Sequence, residues 1–66
     1  MEFKSRLKDL RTSNSLSQKQ LGDIIGVSYS AIGYWETGVN EPKISYIIAL
    51  CKYFKVSADY LLGLTD

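Results

Sequence analysis

LSQKQLGDIIGVSYSAIGYWETGVNEP, running from Leu16 to Pro42, contains two helix starts and the joint between them. Ser17 followed by Gln20 makes a capping box, in which each side chain satisfies a backbone N–H that the first helical turn leaves free, and Leu16 and Leu21 flank it as a hydrophobic staple. Val27 and Ile32 repeat the staple spacing around Ser28. Only Gly26, Val27 and Ser28 separate Ile25 from Tyr29, so the chain must turn sharply with one residue at positive φ, which glycine adopts without a Cβ clash. Gly22 is expected to face the following helix where the two cross, with Leu21, Ile25, Val27, Ile32 and Trp35 forming the core they share. Two helices joined in this way form a helix-turn-helix unit.

The same signals extend in both directions. Phe3, Leu7 and Leu10 fall at i, i+4, i+7, Leu21, Ile24 and Ile25 at i, i+3, i+4, and Ile44, Ile47, Ile48 and Cys51 repeat the pattern, each placing apolar side chains on one helical stripe. A third staple, Val56 with Leu61 around Ser57, marks another start. The spacing predicts helices over 2–12, 18–25, 29–36, 44–54 and 57–62, with Pro42 in the joint before the fourth. No segment alternates with a period of two between hairpin turns, so no strands are expected. The fold class is all-α, a compact five-helix bundle in a single domain over 1–66.

A chain of 66 residues has room for one core and buries only roughly 60% of the surface its unfolded form exposes, so stability should be modest. No apolar stretch is long enough to span a membrane, and the charged start MEFKSRLKDL is no signal peptide, which makes a cytoplasmic, nucleoid-associated protein the expectation. With one cysteine and no histidine, an internal disulfide and the usual zinc-ligand sets are excluded, and no cofactor is expected. The net charge of +1 is unevenly spread. Residues 1–20 carry Lys4, Arg6, Lys8, Arg11 and Lys19 against Glu2 and Asp9, while residues 21–66 carry three lysines against five carboxylates. A basic N-terminal end can bind phosphates, and it can equally be a solvated helix surface.

The spacing of Gln18, Leu21, Gly26, Ser28, Ile32, Trp35, Glu36, Gly38 and Pro42, followed by FKVSADYLLGLTD, resembles the Cro and phage-repressor type of helix-turn-helix domain, XRE-like and lambda-repressor-like, from about Phe3 to Asp66. Two positions depart from it. Families of this type more often carry alanine at Gly22 and leucine or isoleucine at Trp35.

The resemblance implies a domain whose third helix enters the DNA major groove while its second crosses the backbone. Tyr29, Ser30, Gly33 and Tyr34 fall at its base-reading positions. Gln18 at the start of the second helix, Ser28, and Thr37, Gly38, Asn40 and Lys43 on and before the following loop fall at its phosphate-contacting positions. Arg11 and Glu36 match positions that pair in the family. The implied partner is a near-palindromic double-stranded DNA operator, bound by a weak homodimer that DNA stabilises, with Val56, Ser57 and Tyr60 near the two-fold contact. The tail GLTD ends where such families begin a linker, so a C-terminal oligomerisation domain or a protein partner outside this chain is compatible with it.

Tyr29 and Tyr34 are read as contact residues because they share a face with Ser30 and Gly33, whereas Trp35 is read as core. Cys51 is read as a small buried hydrophobe, Tyr60 as packing at the C-terminal helix or its dimer contact, and Tyr46 and Tyr53 as amphipathic surface. Nothing marks a catalytic base or an activated nucleophile, so no enzyme is expected. Two other readings share the bihelical chemistry. One is a protein-interaction module, antitoxin-like or anti-repressor-binding, and the other an activator or controller in place of a repressor.

Overall fold

The computed structural model describes residues 2–65, so Met1 and Asp66, the ends of the expected domain, lie outside the described residues. Five helices follow one another, α1 Glu2–Ser13, α2 Gln18–Ile25, α3 Tyr29–Thr37, α4 Ile44–Phe54 and α5 Ala58–Leu61, with no strand among the described residues. The three starts read from the sequence are all present. Ser17 accepts from the Gln20 N–H at 3.0 Å while the Gln20 side chain accepts from the Ser17 N–H at 2.8 Å, and Ser28 and Ser57 cap α3 and α5 by accepting from Ala31 and Tyr60. Because Ser57 is a cap, α5 is shorter than its expected span.

The α2–α3 joint depends on two glycines. Gly26 takes φ 90°, and both its N–H and that of Val27 donate to the Gly22 carbonyl, at 2.7 and 2.9 Å. Gly22 is the crossing point, since a Cβ there would stand 2.6 Å from the Val27 carbonyl oxygen. The core is Phe3 and Leu7 of α1, Leu21 of α2, Ile32 and Trp35 of α3, Leu50 of α4 and Leu61 of α5.

Three expected core positions are exposed. Ile24 is 44% exposed, because Leu21, Gly22 and Ile25 take the inward face of α2. Ile44 is 78% and Ile48 49% exposed, since α4 turns Tyr46, Ile47, Leu50, Cys51 and Phe54 inward. The helix reads ISYIIALCKYF, apolar nearly all round, so periodicity alone could not select its buried face. Tyr46 is accordingly not amphipathic surface. Its ring packs against Trp35 with centroids 5.6 Å apart, whereas Tyr53 lies edge-on to Phe54 and remains partly exposed. Cys51 is only half-buried, packed against the core, and burial pushes its thiol pKa up.

Candidate nucleic-acid interface

The outward face of α3 is uncharged and polar. Tyr29 and Tyr34 are well exposed, Ser30 and Gly33 half-exposed between them, and the one charged residue of the helix, Glu36, is turned inward with its side chain 3% exposed. Glu36 meets Arg11 of α1 through two parallel bonds, Nε to Oε2 at 2.6 Å and Nη2 to Oε1 at 3.0 Å, while Arg11 Nη1 donates to the Leu16 carbonyl at 2.8 Å. The Glu36 hydrogen bond raises the Arg11 pKa against the opposing effect of burial. This pair, at the positions the family resemblance implied, ties α1 to α3 and to the segment leading into α2.

Gln18 links that pair to the outward face. Its Nε2 donates to Glu36 Oε1 at 3.3 Å, and its carboxamide lies beside Gly33, where a Cβ would come 3.5 Å from Nε2. A carboxylate only accepts, so the amide nitrogen must face it, leaving Oε1 and a second N–H uncommitted to Glu36. Thr37, at the end of the same face, returns its hydroxyl to the helix by donating to the Gly33 carbonyl at 3.0 Å.

Beyond α3 the chain turns at Gly38, φ 82°, and runs to Lys43, the residue before α4. A shallow groove of about 330 Å³ opens between α3 and this loop, lined by Ser28, Tyr34, Asn40 and Lys43 with Trp35 and Tyr46. Candidate base-reading and phosphate-contacting residues therefore meet in one concavity. Glu41 lines it too and supplies the opposing charge. The N–H groups of Asn40 and Glu41 make no backbone hydrogen bond among the described residues.

The candidate dimer residues lie apart from this surface and are engaged within the chain. Val56 packs against the core and Ser57 caps α5. Tyr60 lies under Arg6, whose guanidinium carbon sits 4.4 Å from the ring centroid and whose Nη1 donates to the Tyr60 and Thr65 carbonyls. Composition and spacing gave no sign of this Arg6 contact, because it joins positions 54 residues apart.

A capped helix crossing the next at a glycine, a glycine-turned joint, and a following helix with its uncharged face outward define a helix-turn-helix domain. The chain belongs to the helix-turn-helix family, whose model matches residues 7–61. It is 40% identical over 63 residues to the HTH-type transcriptional activator BcrR of Enterococcus faecalis, covering 96% of this chain and 31% of that protein. With the uncharacterized HTH-type transcriptional regulator YobD of Bacillus subtilis it shares 38% identity over 61 residues, 92% of this chain and 54% of the relative. The chain thus spans about a third to a half of the length of these two relatives. Among solved structures it is similar to the P22 c2 repressor in complex with a synthetic operator, at a TM-score of 0.86 and 34% identity over 92% of both chains. The five-helix repressor-type fold expected from the sequence is therefore the observed one. No helix among the described residues is long and apolar enough to cross a membrane.

Proposed function

We propose that this chain reads double-stranded DNA as a transcriptional regulator, with α3 in the major groove and the amino end of α2 and the 38–43 loop on the backbone. The similarity to the P22 c2 repressor–operator complex, extending over 92% of both chains, carries this reading. The outward face of α3 supports it: Tyr29, Ser30, Gly33 and Tyr34 present hydroxyls, aromatic edges and bare backbone, with no charge to bury against bases. Lacking arginine, asparagine and glutamine, this face reads through hydroxyls and through aromatic contact with thymine methyls, so its direct code is modest. Groove shape and phosphate contacts from Gln18, Ser28, Thr37, Gly38, Asn40 and Lys43 supply most of the affinity. Repression of a near-palindromic operator by two copies is the specific form of the proposal. BcrR, named an activator, favours activation as the second reading.

Selection of bound sequences from random duplexes should enrich an inverted repeat. Tyr34→Ala and Ser30→Ala should then lower affinity for the selected site more than for scrambled DNA, and Lys43→Ala should weaken both alike. If the folded Tyr34 and Ser30 variants lose both kinds of binding equally, α3 is not the reader. An absence of salt-sensitive DNA binding would instead favour a protein-interaction module.

A further inference from the structure

The five cations of the N-terminal end separate into distinct environments in the fold. Arg11 is committed to Glu36 and Arg6 to Tyr60 and the Thr65 carbonyl, while Lys19 meets Asp23 only in an exposed i,i+4 pair. Lys4 and Lys8 form no ion pair among the described residues, and of the two it is Lys4 that lines the cleft beside Gly38. Its neighbour Phe3 is buried in the core, which anchors the start of α1, and Lys4 then lies across the end of α3. A Cβ on Gly38 would meet Lys4 Cδ at 3.4 Å and Nζ at 3.5 Å, ordinary van der Waals distances, so the lysine stem lies against a glycine that is required by its positive φ and not by its lack of bulk. A small cleft of about 150 Å³ brings Lys4 together with Gly38, Asn40 and Glu41, and it shares Asn40 and Glu41 with the groove that holds Lys43.

We propose that Lys4 is a further phosphate-contacting residue, which makes α1 part of the DNA interface. The proposal rests on the DNA-binding reading above. Lys4 and Lys43 line adjoining clefts that share Asn40 and Glu41, so two cationic side chains flank one loop, and a phosphate is a ligand that such a pair of lysines can contact. Glu41 is the one carboxylate lining either cleft, so the lysines outnumber it. A competing role for Lys4 is structural, as a cation at the carboxyl end of α3, where the helix dipole favours it.

The two roles separate in a salt titration of DNA affinity, run on wild type, Lys4→Ala, Lys4→Arg and Lys52→Ala, with the urea midpoint of each variant recorded. Lys4→Ala should make the slope of log affinity against log salt shallower by about 0.9 per bound copy, equally on selected and scrambled duplexes. Lys4→Arg should keep the wild-type slope, and so should Lys52→Ala, whose charge lines neither cleft. A Lys4→Ala slope equal to wild type overturns the proposal, and a lowered urea midpoint with that unchanged slope assigns Lys4 the structural role. If wild type itself shows no salt-dependent DNA binding, the DNA reading fails and this inference with it. If wild type binds and only the Lys4 slope is unaltered, this inference alone fails.

Discussion

Glu36 should carry a large stability cost for a polar side chain, because that side chain is nearly fully buried and receives hydrogen bonds from both Arg11 and Gln18. Removing it by Glu36→Ala leaves a partly buried guanidinium with the Leu16 carbonyl as its remaining partner and should cost a few kcal/mol, at most the roughly 3–5 kcal/mol of a fully buried pair, read as a fall in the urea midpoint at constant slope. Replacing both partners, Arg11→Met with Glu36→Leu, should recover most of that loss, and a double variant as unstable as the single one would show that the pair's charge was not the issue. Two glycines give opposite expectations. Gly22→Ala gains helix propensity but drives its Cβ to 2.6 Å from the Val27 carbonyl oxygen, a backbone atom, so α2 and α3 must move apart and stability should fall. Gly33→Ala meets only the end of the Gln18 side chain at 3.5 Å and should gain roughly 0.8–1 kcal/mol in the same assay. DNA binding by Gly33→Ala then tests whether close approach needs the bare backbone. The position of Gly22 was legible because a three-residue joint forces a tight crossing. The Gln18–Glu36 bond was not, since no local periodicity relates residues 18 apart.

Helix starts were legible in the sequence because caps and staples are local chemistry: Ser17, Ser28 and Ser57 each cap the helix they were assigned to. The buried face of α4 was not, because its apolar residues run round the helix and only packing against Trp35 and Leu61 selects a side. Cys51 gives that choice a measurable consequence. Its thiol is pushed above the ordinary value of 9.0 by burial, so the unfolded chain loses this proton at lower pH than the folded one. The thiol's contribution to stability is in full force below 9.0 and is lost as pH rises through the raised folded value. The difference in urea midpoint between wild type and Cys51→Ala should therefore be constant near neutral pH and shift against wild type at alkaline pH. A difference that stays flat throughout would mean that the thiol ionises equally easily in both states.

The molecule measures 28 × 23 × 21 Å, and two of its grooves meet along one segment. Glu41 and Pro42 line both the groove beside α3 and a second, largely apolar groove of about 440 Å³ between α4 and α5, which also takes in Ile44, Ile47, Ile48 and Leu62. If two copies bind one operator, their contact must lie beside the DNA face, and exposed Ile44 and Ile48 offer more apolar area there than Val56, Ser57 and Tyr60, which the fold already uses. The family resemblance points to the α5 region and not to these isoleucines, whose spacing with Ile47 and Cys51 places them on an apolar stripe. A contact built from a few such side chains falls well short of the roughly 1,200–2,000 Å² typical of stable complexes, so free protein should sediment as a monomer at micromolar concentration. The double variant Ile44→Gln with Ile48→Gln adds no charge near the phosphate-contacting loop. It should keep the fold and the affinity for a single half-site, yet bind the full inverted repeat with less cooperativity, measured as the spacing between the one-copy and two-copy bands in a gel-shift titration. Unchanged cooperativity in that variant would move the two-fold contact elsewhere, and a tight dimer of wild type at nanomolar concentration without DNA would contradict the weak interface outright.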